Sequence, residues 1–221
     1  MKPLHSPLFL QGRAERRAFT LVEMIAVIGI IMILFGIAVL PFGKMMGGKG
    51  VDGAARMIGA QLRLARQFAL SKREYVAVVM PSTTGPNKYR YTSFRSCIVD
   101  DTGATPAFEE WIPNTKWESL PQGAIISEAD ADYENDDTAA INDGTVTTIT
   151  GVAVDSNTYD MRAILFKPSG KLGDGTQRYV TVLEGVYENG NPVARNQTNI
   201  RCMKIDSDTG RTSYVDPLTV P

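Results

Sequence analysis

From Met24 to Phe42 the chain carries no charge, and the one carboxylate at the head of that run is Glu23, in Arg16-Arg17-Ala18-Phe19-Thr20-Leu21-Val22-Glu23. Written as a helix, the 24 residues from Phe19 to Phe42 rise about 36 Å, enough to cross a hydrocarbon core about 30 Å thick. A carboxylate in such a segment costs about 2.5–3.5 kcal/mol at mid-bilayer and less near the interface. Glu23 therefore reads as a functional residue awaiting a partner. A secretory signal peptide fits poorly, because its apolar core is usually about 7–15 residues and ends in a small-x-small cleavage site. Here the run is longer, starts at Glu23, and is followed by Pro41 and Lys44. An ordinary single-span anchor fits the length and leaves Glu23 unexplained.

The string resembles the processing site of type IV prepilins and type II secretion pseudopilins, where a leader peptidase cuts before a Phe followed by Thr-Leu-x-Glu. The resemblance implies a leader over residues 1–18, a cut between Ala18 and Phe19, and N-methylation of Phe19 as the new first residue. That family normally has Gly before the cut; Ala18 is the smallest replacement. The resemblance also implies that Glu23 meets the N-terminal amine of a neighbouring subunit during assembly. Neutralisation at low dielectric would favour correct stacking, and an unpaired buried carboxylate is penalised. The leader sets Lys2, Arg13, Arg16 and Arg17 against Glu15. Such a bias keeps it cytoplasmic and sends the C-terminal bulk across the inner membrane into the periplasm.

Of the 221 residues, about 180 follow the apolar run, enough for one well-buried domain. Without the leader's four basic and one acidic residues, 23 Lys+Arg and 24 Asp+Glu become 19 and 23, about −4. A mildly acidic chain lacks the electrostatic footprint of a nucleic-acid binder. The only cysteines are Cys97 and Cys202. Outside the cytoplasm such a pair reads either as one disulfide or as two buried thiols. Two Cys and a lone His5 in the leader make no metal site. No Gly-rich phosphate loop or Ser-His-Asp set appears, and a mature chain without His lacks the commonest general base. The expectation is a non-enzyme without cofactor or small-molecule substrate.

Pro41 and the glycines at 43, 47, 48 and 50 interrupt the first helix. Each mid-helix Gly costs up to about 1 kcal/mol and Pro about 3, so residues 43–50 are expected to be kinked or locally melted. Helical periodicity then resumes over 51–72, with Val51, Ala55, Ile58, Leu62, Ala65 and Ala69 forming an apolar stripe. From residue 73 the pattern is β: 74–80, 89–99, short strands near Trp111, Trp117 and 124–126, then 145–154, 163–166, 178–187, 200–205 and 211–215. Asp206-Ser207-Asp208-Thr209-Gly210 predicts a closing hairpin. The expected fold class is α+β and pilin-like: a long N-terminal helix, half membrane-embedded and half amphipathic, packed on a C-terminal antiparallel β domain.

Three patches sharpen the resemblance: Leu62-Arg63-Leu64-Ala65-Arg66-Gln67-Phe68-Ala69, Ile164-Leu165-Phe166-Lys167-Pro168-Ser169-Gly170, and Thr209-Gly210-Arg211. They are similar to the H-type minor pseudopilins, which are related to minor pilins of the FimT type. The acidic stretch 127–160 invites a calcium reading, but as an EF-hand loop from Asp130 it has Asn135 at position six and Ile141 at position twelve. A solvated insertion is the better reading. Some FimT-type pilins capture DNA through a basic Gly-Arg-x-Arg stretch; here Gly210-Arg211-Thr212-Ser213 lacks the second Arg. Arg195, Arg201, Lys204 and Arg211 could cluster, but Asp206 and Asp208 lie beside them. The expected role is a structural subunit of a type II secretion pseudopilus, with prepilin peptidase and other pilin-like subunits as partners. The alternative is a minor type IV pilin in DNA uptake or surface adhesion.

Overall fold

The structure, a computed structural model, describes residues 20–38, 42–127, 147–173 and 175–215. It divides into two compact units, Met1–Phe42 and Gly43–Pro221. The first contains helix α1 (Leu21–Ala38). Thr20 is its N-cap: the Met24 amide donates to the Thr20 carbonyl at 3.2 Å, and the Glu23 amide donates to Thr20 Oγ1 at 3.2 Å.

The second unit is organised by α2 (Phe42–Lys72). Residues 43–50, expected to be kinked or melted, are helical. Glycine lowers helix propensity but deletes no backbone hydrogen bond, and α2 starts immediately after Pro41, which therefore interrupts nothing inside it. The stripe is fully inside, with Val51, Ala55, Ile58, Leu62, Ala65 and Ala69 all at most 1% exposed. Its small residues let strands approach closely, while Val51, Ile58 and Leu62 each contribute about 1.5–3 kcal/mol by burial.

Two sheets pack on that stripe. The first contains β1 (Tyr75–Val79), β2 (Ser93–Asp100), β3 (Ala107–Trp111), β4 (Glu118–Ser119), β6 (Thr147–Val154) and β7 (Asn157–Phe166). Its order is β1-β7-β6-β3-β2-β4, and β1 also pairs with β2. Five strands therefore close into a small barrel. Alternate side chains point to opposite faces. Val76, Val78, Phe94, Ile98, Ile164 and Phe166 face α2. Ala77, Val79, Cys97, Val99, Ile149, Val152, Met161, Ala163 and Leu165 fill the barrel interior. Barrels of this size are packed with side chains and leave no channel. The last seam is a parallel contact, Ala107 against Thr150, whereas the other strand pairs among the described residues are antiparallel, as expected. The Thr150 amide secures it by donating to the Pro106 carbonyl at 3.0 Å.

The second sheet has the order β10-β9-β8-β5: β10 (Thr212–Val215), β9 (Asn191–Ile205), β8 (Arg178–Glu188) and β5 (Ala124–Ile126). Ala124, Ile126, Val180, Val182, Met203 and Ile205 join the α2 core. The expected strand from Tyr89 begins only at Ser93, because Tyr91 adopts φ 58° in the preceding turn. The acidic insertion is also corrected. Residues 147–160 form most of a barrel hairpin, Ile149, Val152 and Val154 being buried while their neighbours carry the polar face. Residues 128–146 lie outside the described residues.

Polar contacts hold α2 in place. Gln61 Nε2 donates to the buried Ser96 Oγ at 2.6 Å, and Arg201 Nε donates to Asp52 Oδ1 at 2.7 Å. Arg66 Nε donates to the Thr209 carbonyl at 2.7 Å and the Gly170 carbonyl at 3.2 Å. Gly210, at φ 62°, sits there because a Cβ would collide with the Gly170 carbonyl. Leu62→Ala should lower the unfolding free energy of the detergent-solubilised chain by about 2–5 kcal/mol. Leu64→Ala, two residues on and 59% exposed, should change it by less than about 0.5 kcal/mol. Equal losses in urea titrations would refute the assigned stripe.

Candidate functional site

In α1, every described side chain from Leu21 to Phe35 is exposed within the chain. Leu21 is 76%, Met32 69% and Phe35 68% accessible. Water would penalise such a surface, and exposed apolar patches of this extent mark interaction or membrane surfaces. Among the described residues no helix is long and apolar enough to cross a membrane. The 18 residues of α1 rise about 27 Å, short of a bilayer core of about 30 Å. Residues 39–41 of the expected 19–42 span are outside the described residues, as are Ala18 and Phe19.

Glu23 is exposed, in the first turn of α1. Thr20-Leu21-Val22-Glu23 has the spacing of a capping box, with the cap hydroxyl accepting the third residue's amide hydrogen. The positive end of the helix dipole favours a carboxylate there. Thr20 was not singled out in the sequence, although Thr three residues before Glu is a local signal. The arrangement fixes the helix start and presents one carboxylate beside an apolar surface. It supplies no nucleophile or base pair.

Cys97 and Cys202 are both buried free thiols, the second of the two readings the sequence leaves open, and the possible bridge between them is not formed. Both lie on strand faces turned away from α2, on different sheets. Cys97 is inside the barrel, whereas Cys202 faces out from β9 opposite Thr181, whose Oγ1 donates to its Sγ at 3.8 Å. Burial pushes the Cys97 thiol up to about 12. Burial also raises Cys202, partly offset by the Thr181 hydroxyl.

The basic residues proposed to cluster near the C-terminus are partly neutralised. Arg201 pairs with Asp52 at 2.7 Å and Arg195 with Glu188 at 3.1 Å. Of the acidic stretch, Asp155 pairs with Lys88 at 2.9 Å and Asp160 Oδ1 accepts the Gly151 amide hydrogen at 3.0 Å.

The chain is thus an α+β protein, an N-terminal helix followed by a largely β domain. Its residues 13–39 match the prokaryotic N-terminal methylation motif, a segment containing Ala18, Phe19 and Glu23. Among solved structures it is similar to the type IV minor pilin FimU of Pseudomonas aeruginosa, at 14% identity and TM-score 0.46, covering 82% of this chain and 97% of that one. Another crystal form of FimU gives 15% identity, TM-score 0.44 and coverages of 77% and 96%. The minor pseudopilin EpsH from the type 2 secretion system of Vibrio cholerae is similar at 11% identity and TM-score 0.40, covering 76% and 97%. Likenesses this slight leave function to the site itself. No curated protein matches the chain.

Iodoacetamide should label neither cysteine in the folded protein and both in guanidinium without reductant, since inert buried thiols react only once exposed. Labelling in guanidinium only after reduction would contradict free thiols.

Proposed function

We propose that this chain is a minor pseudopilin: a non-catalytic, structural subunit of a type II secretion pseudopilus. It is held in the inner membrane by residues 19–42, with residues 73–221 on the periplasmic side. Prepilin peptidase cuts between Ala18 and Phe19, and Phe19 becomes the methylated N-terminus. The observation that carries the reading is α1: an exposed apolar helix with one carboxylate in its first turn, inside a segment that matches the methylation motif. Lipid covers that surface before assembly and the helices of other subunits cover it afterwards. Glu23 then takes the α-amine of a neighbouring Phe19 as its partner, satisfying two charges that would each be costly alone at low dielectric. The ion pairs of Arg195 and Arg201 weigh against a DNA-capturing pilin, because paired cations release fewer counterions on meeting phosphate.

Glu23→Ala tests the pairing. The variant should be inserted and cut at wild-type levels yet be depleted at least about tenfold from filaments sheared from cells, as expected for loss of a charge pair at low dielectric. Wild-type incorporation would sink the role assigned to Glu23.

A further inference from the structure

β9 outruns one of its neighbours. β8 pairs with it from Asn191 to Ile205, whereas β10 covers only Cys202 to Ile205. Among the described residues, 191–201 therefore form a free edge of the second sheet, joined to β8 by a tight turn at Asn189 and Gly190, with φ 52° and 89°. The pairing with β8 passes from Leu183 opposite Ile200 directly to Glu184 opposite Asn196. Residues 197–199 thus bulge out of the ladder, closed at their base by Asn199 Nδ2, which donates to Glu184 Oε2 at 2.9 Å.

The bulge holds a specific triplet. Asn196-Gln197-Thr198 is the only place in the chain where an Asn is followed, two residues on, by Ser or Thr. Asn-x-Ser/Thr with x other than Pro is the acceptor triplet for N-linked glycans. It arises by chance in many chains, so its surroundings decide. Asn196 and Thr198 are both exposed, on an edge that no other described strand covers. Thr198 turns back onto Asn196: its backbone amide donates to Oδ1 at 3.1 Å and its hydroxyl at 2.8 Å. A backbone N–H can only donate, so the atom facing it is the oxygen, which fixes the orientation of the carboxamide. Nδ2 then donates to nothing among the described residues. Both hydrogen bonds draw charge through the carboxamide and acidify the Nδ2 hydrogens, one of which must leave when that nitrogen gains a substituent. The other asparagine of the bulge, Asn199, has its Nδ2 tied to Glu184 and Arg201, not a hydroxyl, two residues on.

We propose that Asn196 is an N-glycosylation site, modified on the periplasmic side; the side of modification rests on the localisation proposed above. Nδ2 attacks the anomeric carbon of an oligosaccharide carried on a polyprenyl diphosphate. An N–C bond forms and the C–O bond to the diphosphate breaks. That oxygen leaves with the bonding electrons, and one Nδ2 proton passes to a base of the transferase. The glycan projects from the free edge of β9, where a row of unpaired backbone groups would otherwise invite a strand from another chain.

The test is mass spectrometry of the whole protein recovered from the envelope of the cells that make it. It is read at the tryptic peptide 196–201 and at the N-terminal peptide of the same sample. A glycan attached at Asn196 is expected on most molecules. Asn196→Gln and Thr198→Ala should each abolish it, whereas Thr198→Ser, which keeps a hydroxyl, should retain it. A turn serving structure alone would add no mass in any of them. Unmodified wild-type peptide, or a glycan that survives Thr198→Ala, would overturn the proposal, and the wild-type and Thr198→Ser arms stand if another variant does not fold. The N-terminal peptide separates the two readings. Unmodified Asn196 on chains that start at Phe19 removes the glycan alone; glycosylated Asn196 on chains that start at Met1 removes the processing alone.

Discussion

Burial of one helical stripe is the constraint on which the β domain depends. Val51, Ile58, Leu62 and the alanines between them form the surface that both sheets share. Each sheet therefore needs only one face that fits α2. Period-two alternation in the strands assigns the other face to the barrel interior or to the outer side of the second sheet. Hydrogen bonds from α2 then fix its register: Gln61 to Ser96 in the barrel, Arg66 to the turns at Gly170 and Thr209, and Asp52 to Arg201 in β9. The exposed ion pair is worth at most about 1 kcal/mol, so it orients more than it stabilises.

The two helices obey opposite rules. α2 has an apolar stripe and a polar remainder, as a helix lying on a sheet must. In α1 the side chains from Leu21 to Phe35 are exposed and, apart from Glu23, apolar on every side. Such a surface is available for contact with something else, and the capped first turn sets Glu23 beside it. The proposed subunit role follows from that contrast: one helix builds the domain, and the other is left for lipid and neighbouring subunits.

What could be read from the sequence was local. The stripe of α2, the core strands β1, β5 and β8, and the hairpin through Asp206–Gly210 all announce themselves by period or turn chemistry. Glu23 was legible because a carboxylate heading an apolar run is anomalous without any structure. The patches around Arg66, Gly170 and Thr209 were visible only as separate strings; the fold shows that they meet at one guanidinium. Barrel closure was not legible, since its seam is a nonlocal parallel contact between Ala107 and Thr150. The β6 strand was legible over 145–154 from its own β pattern, and its Ile149, Val152 and Val154 are buried. Two cysteines suggested a bridge, but strand faces, not spacing, decide whether thiols meet.

The account rests on α1 being the processed, assembling end of the chain. The most direct measurement is the N-terminal residue and intact mass of the protein recovered from membranes. The account predicts a first residue of Phe19 carrying one added methyl group, with Ala18 accepted at the cut. An intact Met1, or a chain starting elsewhere, would contradict it and leave an anchored β domain whose apolar helix serves another purpose.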